Sequence, residues 1–156
     1  MVSSASYSIL LIDDNNKERT YYAERIRMGI SDCTVLEARD GRSGLALYRS
    51  RKIDCIITEL YLPDMSGLEL LVEVVPQASQ PAMAVILLTR NASKPIHDLA
   101  IRNGAQAFFV KRFTSGEELT QMIPKAIAHI GPNEKDQKWD EKPATASEET
   151  AHTEGP

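Results

Sequence analysis

The sequence predicts a doubly wound α/β domain. Five short apolar runs alternate strictly with five helical patterns, and the runs are continuous rather than every-other-residue apolar, as strands buried on both faces must be. Alternation of this kind requires a parallel sheet with helices on both faces, and right-handed crossovers leave few strand orders. The polar residues that follow several of the runs fall at the carboxyl ends of the strands, where ligands gather in such folds.

Taken in order, Ile9-Leu10-Leu11-Ile12 reads as the first strand. Asn15 or Asn16 can cap a helix that runs through Met28 to Gly29, with Tyr22 and Ile26 on its inner face. A second strand spans Cys33 to Glu37, and a helix from about Gly41 to Ser50 turns Leu45 and Tyr48 inward. The third strand runs from Ile53 to Thr58. A loop with Pro63, Met65 and Gly67 leads into a helix with Leu68, Leu71 and Val75 on one face. The fourth strand, Val85 to Leu88, precedes a helix with Ile96, Leu99 and Ala100 that ends at Gly104. The fifth strand is Ala107 to Val110, and a last helix from about Ser115 to Ile130 aligns Leu119, Ile123, Ile127 and Ile130. Pro124 inside that helix removes one backbone bond and is expected to kink it.

Three segments follow: an N-terminal extension over 1–6, a domain over 7–130, and an acidic tail over 131–156. The tail holds seven of the 22 acids but only three of the 18 bases, so the first 130 residues are balanced and the net charge of -4 lies wholly in the tail. Its Pro, Glu, Lys, Ala, Thr and Ser surround a single tryptophan, Trp139, with no apolar periodicity, so disorder is expected. The mild charge gives no reason to expect nucleic-acid binding. The longest apolar run, Ala82 to Leu88, is too short to span a bilayer, so no membrane partner is expected. Two cysteines, Cys33 and Cys55, without a secretory leader suit a cytoplasmic location. No output domain is expected after the last helix.

Asp13 and Asp14 follow the first strand, Glu59 the third, Thr89 the fourth and Lys111 the fifth. Three carboxylates, a hydroxyl and an ammonium thus meet at one end of the sheet. Hard oxygen donors of this kind suit Mg²⁺ completed by water and phosphate, with the hydroxyl and lysine facing the remaining phosphoryl oxygens.

These residues lie in four stretches: Ile9-Leu10-Leu11-Ile12-Asp13-Asp14; Leu60-Tyr61-Leu62-Pro63-Asp64-Met65-Ser66-Gly67-Leu68-Glu69-Leu70; Val85-Ile86-Leu87-Leu88-Thr89; and Gly104-Ala105-Gln106-Ala107-Phe108-Phe109-Val110-Lys111. Together, over roughly residues 7–130, they resemble the receiver domain of two-component response regulators. The resemblance implies a flavodoxin-like (βα)5 fold with strand order 2-1-3-4-5. It implies Asp13, Asp14 and the Tyr61 carbonyl as ligands of a weakly held Mg²⁺. Thr89 and Phe108 become the switch pair, and Lys111 the group that pairs with phosphate. A histidine kinase or another signalling protein is the implied partner, and the face built from the fourth helix, fifth strand and fifth helix the implied contact surface.

Two residues depart from that pattern. Glu59 stands where the family has its phosphoacceptor aspartate. The extra methylene displaces the carboxylate by on the order of 1.5 Å, and in-line transfer loses roughly 100-fold for a misplacement of about 1 Å. Phosphoryl acceptance is therefore expected to be impaired, with the longer carboxylate reaching toward Lys111 and Thr89 as a partial phosphate mimic. Arg112 replaces the family's usual proline, so the Lys111–Arg112 peptide is expected to be trans. The reading is a stand-alone pseudo-receiver, not an enzyme, that is either biased toward its active shape or a phosphorylation-independent adaptor. The alternatives are a Mg-dependent phosphatase or phosphotransferase using the Asp13/Asp14 cluster, and a flavin- or nucleotide-binding domain. The latter lacks the small, uncharged first loop that cradles phosphate.

Overall fold

The computed structural model describes residues 6–90 and 93–130. The acidic tail, Trp139 and most of the N-terminal extension lie outside the described residues. The elements run β1 (Tyr7–Ile12), α1 (Asn16–Gly29), β2 (Cys33–Ala38), α2 (Gly41–Ser50), β3 (Cys55–Thr58), α3 (Gly67–Val74), β4 (Ala84–Thr89), α4 (Lys94–Arg102), β5 (Ala107–Val110), a 3-10 turn (Lys111–Phe113) and α5 (Gly116–Ile130). All strand pairings are parallel, in the order β2-β1-β3-β4-β5. This is the flavodoxin-like (βα)5 arrangement that the sequence predicts.

The two-residue period of a strand explains the two cores. Alternate β1 side chains point to opposite faces. Ile9 and Leu11 join Tyr22, Ile26, Leu119 and Ile123 under α1 and α5. Leu10 and Ile12 join Leu45, Leu70, Leu71 and Ala100 under α2, α3 and α4. Ile56 and Ile57 of β3 divide in the same way.

Local chemistry sets the helix ends. The Asn15 side chain accepts from the Glu18 amide and caps α1. Asp40 caps α2, and Ser66 with Glu69 forms a reciprocal capping box on α3. After α4, Gly104 takes φ 101°. The Gly104 amide donates to the Ile101 carbonyl and the Ala105 amide to that of Ala100, which is a Schellman termination.

Two helix faces differ from expectation. Leu68 is only partly buried, and α3 turns Gly67, Leu70, Leu71 and Val74 inward. Leu99 is exposed, leaving Ala100 as the buried residue of α4. Both helices are short and lie over sheet already filled by large strand side chains, so a narrow stripe suffices. Helix α5 continues through Pro124 to Ile130 as one element, with Leu119 and Ile123 buried and Ile127 and Ile130 partly so.

Candidate functional site

The sheet's parallel register delivers four chain segments to one edge. The Glu59 amide donates to the Ile12 carbonyl at 2.9 Å, and the Asp13 amide donates to the Ala38 carbonyl at 3.0 Å, so both acids sit just past the last strand pairs. Beyond β3 the chain turns back on itself. The Gly67 amide donates to the Leu60 carbonyl at 2.6 Å, and a Cβ at position 67 would lie 2.6 Å from the Glu59 carbonyl oxygen, so only glycine allows this return. The Asp64 carboxylate ties the same loop to α2, accepting from the Gly41 and Arg42 amides at 2.8 Å each.

The resulting cleft has a volume of about 460 Å³ and is lined by Asp13, Asp14, Glu59, Tyr61, Thr89 and Lys111, together with Asn15, Glu18 and Arg90. Every residue proposed for the site except Phe108 is thus gathered in one place. Thr89 is fully buried in the wall, Asp14 is exposed at the rim, and the Tyr61 ring is largely in solvent.

Lys111 is the centre of the charge network. Its ammonium lies 2.7 Å from Asp13 Oδ2, 2.6 Å from Glu18 Oε1 and 2.9 Å from Glu59 Oε2. Asp13 Oδ1 accepts from the Asn15 amide at 2.9 Å, and Glu59 Oε1 from the Leu60 amide at 2.6 Å. Burial opposes the lysine's charge, but its hydrogen bonds to the three carboxylates outweigh that and hold its pKa above the usual lysine range. Burial raises the Asp13 carboxyl, against the pull of Lys111. At Glu18 the balance tips the other way. Burial would raise it, yet hydrogen bonds from Arg90 and Lys111 keep it below the usual glutamate value.

Glu18 and Arg90 are the two site residues that the sequence reading missed. Arg90 Nη2 holds Glu18 Oε2 at 2.8 Å, and Nε reaches the same oxygen at 3.1 Å. One signal was available: Glu18 is in the first turn of a helix that starts at the carboxyl edge of the sheet, and Arg90 directly follows Thr89. The expected reach of Glu59 toward Lys111 is present.

Phe108 lies away from the cleft, partly buried against the α2–α4 core, with its ring edge-to-face with His97 at 5.2 Å and 73°. Among the described residues there is no cis peptide bond, so the Lys111–Arg112 link is trans, and Arg112 packs over the Phe113 ring at 4.9 Å. Among the described residues, too, no three His, Cys, Asp or Glu side chains are gathered as a metal cluster, and no helix is long and apolar enough to cross a membrane. A cation here would rely on Asp13, Asp14 and a backbone carbonyl, hard oxygen donors of the kind Mg²⁺ takes together with several waters.

Comparison with known proteins gives a consistent result. The model of the response regulator receiver domain matches residues 9–124. The chain is 30% identical over 139 residues to the transcriptional regulatory protein GlrR of Escherichia coli, covering 89% of this chain and 30% of that protein. It is 31% identical over 110 residues to the transcriptional regulatory protein UhpA of the same organism, covering 70% and 54%. The chain therefore spans from 30% to about half of the length of these relatives. A crystal structure of a response regulator receiver domain protein from Clostridium thermocellum superposes with a TM-score of 0.70 at 28% identity, over 79% of this chain and 95% of that one.

Proposed function

The chain belongs to the response regulator receiver domain family, and from that premise we propose that it is a receiver module in which Glu59 has replaced phosphoryl acceptance with a permanent carboxylate. Membership makes it a signalling module that works through protein contacts rather than an enzyme. The observation that carries the finer reading is the 2.9 Å pair between Glu59 Oε2 and Lys111 Nζ. The carboxylate already occupies the lysine that phosphoryl oxygens would approach. Its other oxygen accepts from the Leu60 amide, which fixes the direction of the carboxylate.

The mimicry is incomplete. A carboxylate brings one negative charge, against the roughly -1.5 to -2 of a phosphoryl group near neutral pH. Shifting a two-state equilibrium from mostly inactive to mostly active takes about 5.5 kcal/mol of differential interaction. One lysine contact shared with two other acids supplies less than that, which supports a phosphorylation-independent adaptor over a domain locked in its active shape. Thr89 and Phe108 keep the places of the switch pair in this reading. The partner is a histidine kinase or another signalling protein, docking on the face formed by α4, β5 and α5. Mg²⁺ would be held by Asp13, Asp14 and the Tyr61 carbonyl, where it neutralises negative charge in the cleft. The alternative, a Mg-dependent phosphatase or phosphotransferase using the Asp13/Asp14 cluster, is less well supported, because members of this family act as signalling modules.

Incubation with Mg²⁺ and a small acyl phosphate, followed by intact-mass analysis, tests the proposal. The native chain is expected to gain no phosphoryl group and Glu59→Asp to gain one. A phosphorylated Glu59 in the native chain overturns the reading.

A further inference from the structure

Glu18 has no place in the reading so far, yet it makes the shortest contact to Lys111. An ammonium has three N–H donors. Here three carboxylates take them, Glu18 at 2.6 Å, Asp13 at 2.7 Å and Glu59 at 2.9 Å. The lysine thus has no donor left for an incoming anion. The charge count points the same way. Asp13, Asp14, Glu18 and Glu59 line the cleft against Arg90 and Lys111, so an approaching anion meets two uncompensated negative charges.

The three acids are not equivalent. Asp13 and Glu59 side chains are 3% and 8% exposed and are anchored by backbone amides. The Glu18 side chain is 29% exposed and stands on the first turn of α1, where a rotamer change swings it to solvent without moving the backbone. Arg90, itself 64% exposed, holds it over the cleft through two nitrogens. A half-solvated pair of this kind adds little to folding. Its consequence lies in where it puts the carboxylate.

We propose that Glu18 is a built-in stopper of the cleft's anion subsite, held by Arg90, which fills the third donor of Lys111 and weakens the binding of tetrahedral oxyanions independently of the Glu59 replacement, slowing rather than forbidding phosphoryl uptake when residue 59 is aspartate. The proposal rests on reading Lys111 as the group that receives phosphoryl oxygens. Releasing the stopper returns one Lys111 donor to the cleft and removes one of its two uncompensated negative charges. The subsite then takes a tetrahedral dianion more readily.

The test follows the Lys111 ammonium by ¹⁵N–¹H NMR in the full chain, titrated with inorganic sulfate at constant ionic strength and constant Mg²⁺. In the native chain the ammonium protons exchange slowly and sulfate leaves the signal in place. In Glu18→Ala, proton exchange quickens and sulfate shifts the signal saturably, with an affinity at least about tenfold above native, as expected for removing one like charge within contact distance. Glu24→Ala, which removes an exposed acid from the same helix, behaves as native. Equal sulfate responses in the native chain and Glu18→Ala overturn the proposal, as does an equal gain from Glu24→Ala, which would make the effect one of net charge. The acyl-phosphate experiment on Glu59→Asp is read separately. Phosphoryl uptake there with no effect of Glu18→Ala refutes the stopper alone. No uptake there, with sulfate binding in Glu18→Ala, refutes the receiver reading of Glu59 alone.

Discussion

Replacing Lys111 with methionine keeps an unbranched chain of similar length and removes the only cation paired with the Asp13 and Glu59 carboxylates among the described residues. Those two side chains are 3% and 8% exposed, and the lysine side chain 6%, so all three sit beyond effective solvent screening. Removing one partner of a buried ion pair costs about 3–5 kcal/mol, because the other charge stays behind unpaired. The cleft opens to water and the stranded acids can take up protons, which places the expected loss near the lower end, about 3 kcal/mol at neutral pH. For a domain of this size that corresponds to a fall in melting temperature of roughly 10–15 °C. The sign of the pH dependence follows from the same acids. Burial already raises the Asp13 carboxyl with the lysine present, and without it the shift grows. A buried acid with a raised pKa penalises the folded state once ionised, so the variant recovers stability as pH falls from neutral toward about 5. The native chain gains nothing comparable, and the gap between the two narrows. Urea unfolding of both proteins across that range measures it. A loss below about 1 kcal/mol that stays flat with pH refutes the argument that the lysine is what allows these acids to remain charged.

Glu18 gives a second pH signature. Its carboxyl is held below the usual value, so its contribution is present above the unfolded glutamate pKa and disappears as pH drops through the lower folded value. A small stability difference between the native chain and Glu18→Ala, no more than about 1 kcal/mol for a half-solvated pair, is therefore expected at neutral pH and absent in strong acid, as read from urea midpoints. Gly104→Ala places a Cβ at φ 101° and 2.7 Å from Val75 Cγ1, and is expected to cost at least about 2 kcal/mol, seen as a lower urea midpoint with unchanged slope.

The fold was legible because every level of the sequence agreed. Buried parallel strands read as unbroken apolar runs, and Asn15 marked the start of α1 with its side chain. The strand ends were legible for the same reason, since a polar residue directly after such a run has only the sheet edge to occupy. Asp13, Glu59, Thr89 and Lys111 all followed from that rule. Glu18 did not, because its role depends on a separation of 93 residues closing to 2.6 Å, and a first-turn glutamate in a sequence looks like any helix-dipole partner. Arg90 was hidden similarly, as a charged residue at the start of a loop. The burial of α3 and α4 was misjudged at Leu68 and Leu99 because an apolar residue at helical spacing does not reveal how wide a stripe its neighbours leave open.

Strand β5 borders the sheet and pairs with β4 alone, in a register that ends at Val110, one residue before the lysine. Asp13 and Glu59, by contrast, leave from the two innermost strands of the acidic half, β1 and β3, which pair with each other. The neutralising charge is thus delivered by the outermost ribbon of the fold and the charges to be neutralised by its centre. Fraying of that one ribbon leaves two sequestered acids facing each other without a counterion. Electrostatic tension in the cleft is thereby tied to how firmly a rim of four residues is docked.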